Sequence, residues 1–79
     1  MVKAVILLAE GFEEVEALTI VDVLRRCNVE VDIVGVNGAH IVGAHKVKVI
    51  PDKQIDDVVV EDYHAIILPG GSLGVCEST

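Results

Sequence analysis

Aromatic residues are almost missing from this 79-residue chain, which has one Phe, one Tyr and no Trp. Any core must therefore be built from Val, Ile, Leu and Ala. Cysteine is equally scarce. Cys27 and Cys76 lie far apart, too few for a disulfide scaffold and without the spacing of a metal pair. His40, His45 and His64 contain no H-x-x-x-H pair, so a zinc site is not expected. Neither a G-x-G-x-x-G loop nor a Walker loop is present, which disfavours nucleotide binding. The longest apolar run, residues 4–9, falls well short of the ~20 residues of a membrane span. The first residues do not resemble a secretory signal, and a reducing cytoplasm is the expected compartment. Basic charge is also in short supply. Six Lys and Arg face 13 Asp and Glu, for a net charge of −7, and such a surface repels phosphate backbones, so no nucleic acid partner is expected.

What remains is aliphatic and ordered. Mean hydropathy is +0.58, high for a chain able to bury only ~60% of its unfolded surface. Residues 2–8 form a continuous β-branched run, as in a strand buried on both faces. A loop follows, and then a helix from Glu13 to Cys27. Its acidic start and its basic end at Arg25 and Arg26 suit the helix dipole, and Asn28 suits a left-handed cap. The apolar stripe of the helix is assigned to Val15, Leu18, Val21 and neighbours, with Cys27 in the core. Glu13 and Glu14 are assigned to solvent.

Residues 29–36 alternate as a strand, expected nearer the sheet edge. Asn37-Gly38 signals a turn. Residues 41–43 and 46–50 suggest a hairpin about Gly43-Ala44-His45. One helical turn is expected at residues 54–57, then an acidic loop and a last strand at residues 65–68. This order describes an α/β fold with an open, mostly parallel sheet. Such a sheet needs helices on both faces, and these 79 residues supply one. The chain is accordingly expected to be the N-terminal part of a larger domain, or to be covered by another chain.

In sheets of this kind ligands bind beyond the carboxyl ends of the strands. Two loops qualify, residues 10–16 and residues 69–75. Gly70-Gly71 can present backbone N–H groups as an oxyanion site, although a tight turn explains the same dipeptide. Glu16, placed near Phe12 and Ile20, could share a proton with a nucleophile, or be a solvated helix residue. Cys76 reads as an incidental thiol, because Glu77 beside it disfavours the thiolate. His45 and His64 read as structural or surface residues. Asp22 reads as a helix-face hydrogen-bonding residue or a dimer contact.

The combination of Gly11-Phe12-Glu13-Glu14-Val15-Glu16, Val21-Asp22-Val23-Leu24-Arg25-Arg26 and Leu68-Pro69-Gly70-Gly71 resembles the ThiJ/PfpI superfamily. Its parkinsonism-associated deglycase branch is the most similar. The resemblance covers essentially the whole chain, residues 1–79, as the N-terminal part of a single domain. It implies a flavodoxin-like sandwich and no cofactor. It also implies that Glu16 is the acid sharing the proton of a catalytic cysteine, and that Gly70 and Gly71 are the oxyanion donors. The family's homodimer contact implies association through the Glu13 to Cys27 helix, with the His45 hairpin nearby; a companion C-terminal fragment is the other partner considered.

The implied activities are glyoxalase III-like hydration of methylglyoxal, deglycation, redox-sensitive chaperoning and, in other branches, peptidase activity. The family nucleophile stands on a strand-to-helix elbow well beyond the glycine pair, a position Cys76 does not occupy. Two readings result. One is part of a cysteine-dependent glyoxalase or deglycase acting on small reactive carbonyls, inactive as the isolated chain. The other is a non-catalytic chaperone or dimerisation module.

Overall fold

The computed structural model describes residues 2–36 and 38–69. Strand β1 spans Lys3–Leu8, helix α1 Glu14–Arg26 and strand β2 Glu30–Gly35. A hairpin of β3 (Ile41–Val42) and β4 (Lys48–Val49) follows, then β5 (Lys53–Gln54), two 3-10 turns at Ile55–Asp57 and Val60–Asp62, and β6 (Ala65–Ile67). The main sheet runs β5-β2-β1-β6 with every pair parallel. The order of elements read from the sequence is observed with one addition, the short strand β5, and α1 is the crossover between β1 and β2.

Packing follows from the period of two along each strand. Ala4, Ile6 and Leu8 of β1, with Val31 and Ile33 of β2, form one cluster with Ala17 and Val21 of α1, Phe12 and Ile41. Val5 and Val34 alternate onto the opposite face and are also buried. Ile66, the β6 partner of Val5, is 51% exposed. Among the described residues α1 is the single α-helix, and it covers one face of the sheet.

Helix α1 ends as its sequence suggests. Asn28 has φ 64°, its N–H donates to Arg25 O, and Val29 N–H donates to Leu24 O. That pair of bonds is the Schellman arrangement, which satisfies two carbonyls the helix cannot use itself.

Four local expectations are corrected. The buried stripe of α1 is Glu14, Ala17 and Val21, whereas Val15 is 80% exposed. Val21 is shared with the expected stripe and Leu18 packs partly buried against the core, so the change is the exchange of Val15 for Glu14 and Ala17. Cys27, assigned to the core, is exposed, since the chain has already left helical geometry there. Gln54, expected in a helical turn, belongs instead to β5, which pairs with Val34 and Gly35 and, among the described residues, leaves the first part of β2 without a neighbouring strand on that side. A second 3-10 turn, Val60–Asp62, occupies part of the expected acidic loop.

The remaining length of β2 is closed by the backbone and side chain of Asp52 and by the Arg25 side chain instead of a strand. Asp52 N–H donates to Ile33 O at 2.7 Å, and Asp52 Oδ2 accepts from Ile33 N–H at 2.8 Å. Arg25 Nη2 donates to Val31 O at 2.8 Å and to Asp52 Oδ2 at 3.2 Å. A charged pair thus occupies the ladder positions that a further strand would use.

Candidate active site

Strands β1 and β6 pair in parallel with Ile6 opposite Ile67, so both chains leave the sheet side by side at its carboxyl edge. From Leu8 the chain enters the loop leading to α1, and from Ile67 it runs to Leu68 and Pro69. The two loops singled out by sequence therefore start as neighbours. Glu16 stands in the first turn of α1 and is exposed. It does not share the burial of Phe12 and the partial burial of Ile20, as its spacing suggested. Gly70, Gly71 and Cys76 lie outside the described residues.

The loop before α1 is held by the β3–β4 hairpin. Gly11, at φ +86°, donates its N–H to Val42 O at 2.9 Å, and Ala44 N–H donates to Phe12 O at 2.9 Å. Glu10 Oε1 accepts from Val42 N–H at 3.2 Å. A Cβ added at Gly11 would meet nothing within 4 Å, so the positive φ and not crowding favours glycine there.

The residue missed by sequence reasoning is Glu14. It was assigned to solvent, yet only 7% of its surface is exposed. Its Oε2 accepts from His45 N–H at 2.6 Å and from Val47 N–H at 3.4 Å, and its Oε1 faces His45 Nδ1 at 2.9 Å. Gly43 makes room for it: a Cβ at that position would collide with the Glu14 side chain. Burial by itself pushes the Glu14 carboxyl up. Hydrogen bonds from the His45 ring and from the backbone N–H groups of Glu14, His45 and Val47 outweigh that, holding it below its ordinary 4.5, at about 2. The His45 imidazole is raised by its hydrogen bond to Glu14, then by the charges of Glu14 and Glu13, against the opposing effect of burial.

A carboxylate is tolerated in this position because its donors are supplied 31 and 33 residues later in the chain. The local signal was the 14/17/21/24 spacing, which puts Glu14 in line with Ala17, Val21 and Leu24.

A second polar cluster lies away from this edge. Tyr63 Oη donates to Asp32 Oδ2 at 2.6 Å, Lys53 Nζ lies 3.7 Å from Asp32 Oδ2, and Lys3 Nζ lies 5.1 Å from the Tyr63 ring centre. His64 closes the start of β6, accepting from Lys3 N–H at Nδ1 and donating its own N–H to Lys3 O. Asp22 accepts from Arg26 Nε at 3.0 Å, a helix-face ion pair. Among the described residues, no group of three or more His, Cys, Asp or Glu is placed to hold a metal ion. No described helix is long and apolar enough to cross a membrane.

The sequence profile of the DJ-1/PfpI family matches residues 2–77. This chain belongs to the DJ-1/PfpI family. It is 36% identical over 70 residues to protein dj-1beta of Drosophila melanogaster, covering 87% of this chain and 37% of that protein. It is 36% identical over 74 residues to the Parkinson disease protein 7 homolog of Danio rerio, covering 91% of this chain and 39% of that protein. Among solved structures, oxidized DJ-1 of Toxoplasma gondii superposes with a TM-score of 0.87 at 36% identity, covering 92% of this chain and 40% of that one. The chain thus spans about two fifths of the length of these DJ-1 relatives. The α/β fold with a mostly parallel sheet agrees with that of the family's solved structures.

Proposed function

We propose that these 79 residues form the N-terminal part of a single DJ-1/PfpI domain and contribute half of a cysteine-dependent active site. The reaction is glyoxalase- or deglycase-like, acting on methylglyoxal or glycated adducts in a reducing cytoplasm. Glu16 is the acid that shares a proton with the nucleophilic thiol. Gly70 and Gly71 supply backbone N–H groups to the developing oxyanion. Neither Cys27 nor Cys76 is the nucleophile, which belongs to the family's strand-to-helix elbow. The observation that carries this reading is the parallel β1–β6 pairing. It starts the segment leading to Glu16 and the segment leading past Pro69 from one edge, as a shared site requires.

In this reading the isolated chain does not turn over methylglyoxal. A polypeptide carrying the same residues with the rest of the domain does, and Glu16→Gln in it raises the pKa of the cysteine and lowers kcat/KM by about 100- to 10,000-fold, the range of general acid–base effects. Robust consumption by residues 1–79 alone, or a pH–rate profile unchanged by Glu16→Gln, would overturn it.

We also propose self-association through α1. Val15 and Val23 are 80% and 50% exposed on that helix, which leaves apolar side chains there available to a protein contact.

A further inference from the structure

We propose that Glu14 is a positioning residue: with His45 it latches the β3–β4 hairpin onto the start of α1, and so fixes the first helical turn that carries Glu16. The role given to Glu16 rests on the reading above; the latch itself does not.

Three observations carry it. Among the described residues Glu14 is the one charged residue that is buried, and its carboxylate is held by a single hairpin, at His45 N–H, His45 Nδ1 and Val47 N–H. The hairpin has no backbone room for anything but glycine where Glu14 lies against it, at Gly43. The same hairpin holds the preceding loop through Gly11 N–H to Val42 O and Ala44 N–H to Phe12 O. The chain from Gly11 to Glu14 is therefore fastened on both sides of Phe12, and Glu16 follows two residues later.

The grip depends on pH, because one partner titrates in the neutral range. The charged groups around His45 are Glu14 and Glu13 from the start of α1, Glu10 from the same loop through Val42, and Lys46 beside it on the hairpin. Its ring is 74% exposed, so water and salt moderate the attraction. Glu14, lowered on folding, favours the latched state above its ordinary 4.5 and loses that effect as pH falls toward about 2. His45, raised on folding, favours it fully below 6.5 and loses that effect as pH rises through its own higher midpoint. The latch is firmest between 4.5 and 6.5.

The test uses the 79-residue chain and, separately, the polypeptide carrying the whole domain. In the first, the His45 ring is titrated by NMR, and hydrogen exchange is followed at the His45 and Val47 amides. Glu14→Gln keeps the volume and removes the charge. It is expected to lower the His45 midpoint toward its ordinary 6.5, and to speed exchange of both amides at least tenfold at pH 6 relative to the unaltered chain. Equal His45 midpoints and equal exchange in the two chains would overturn the latch. Should Glu14→Gln fail to fold, His45→Gln serves instead. It is expected to abolish the pH dependence of Val47 exchange that remains after correction for intrinsic rates, and persistence of that dependence would overturn the latch equally.

In the whole domain, Glu14→Gln and Glu14→Ala should lower kcat more than they raise KM, and Glu14→Asp should restore part of the loss. If the NMR result holds while kcat is unmoved, the latch stands and its link to Glu16 is refuted. If Glu16→Gln itself is silent, the reading of the active site fails and the latch does not.

Discussion

At the scale of single residues, the decisive facts concern acids. Glu10, Glu13, Glu14 and Glu16 sit in seven consecutive positions, yet one is buried against the hairpin and Glu16 is exposed. Burial of a carboxylate is tolerated only with donors in place, and Glu14 has them. Tyr63 shows the same logic in reverse. Its hydroxyl donates to Asp32, and that bond, then burial, then the Asp32 charge push its pKa up to about 12 from 10.0. A raised value means that the interaction contributes fully below 10 and is lost as pH rises toward 12. Because Tyr63 is the only tyrosine, its phenolate absorbance reports this titration directly, and the midpoint should fall toward 10 in Asp32→Asn. Tyr63→Phe should destabilise the fold by about 1 kcal/mol in denaturant titration, the net worth of one hydrogen bond. An unshifted midpoint in Asp32→Asn would remove Asp32 as the cause.

At the scale of elements, β2 is the informative case. Its last two residues are paired by β5, and Asp52 and Arg25 occupy the ladder before them. Asp52→Ala leaves the Ile33 N–H without its acceptor, and unfolding in urea should show a loss of about 1–2 kcal/mol. Arg25→Ala should cost less, since Val31 O can turn to water at the exposed edge. If the two variants are equally stable as the parent, the side-chain closure of β2 contributes nothing. Helix α1 is legible at both ends for a physical reason: dipole and capping preferences act through neighbours in sequence. Its buried face was not, because Val15 and Ala17 are both acceptable in a stripe, and only the fixed sheet below decides between them.

At the scale of the whole molecule, aliphatic surface remains uncovered. Val15, Ile50, Ile66 and Leu68 are all at least half exposed, on a chain that spans about two fifths of its relatives. If α1 mediates self-association, Val15→Arg should shift the chain from dimer to monomer in sedimentation at micromolar concentration, since a desolvated guanidinium without a partner opposes contact. A dimer that persists unchanged would place the contact elsewhere.

The sequence by itself determined what depends on nearest neighbours and on period: the β-strand runs, both ends of α1, the hairpin about His45, the parallel α/β class and family membership. Local propensity, alternation and short motifs carry that information without reference to distant residues. Tertiary structure alone decided which acid is buried, how the edge of β2 is closed and where Cys27 and Val15 point. Each of those outcomes is set by groups tens of residues away, as Glu14 is by His45 and Val47. A buried charge is stable only once those groups arrive, so the 14/17/21 spacing alone could place Glu14 on the inner face but could not show that its charge is satisfied there.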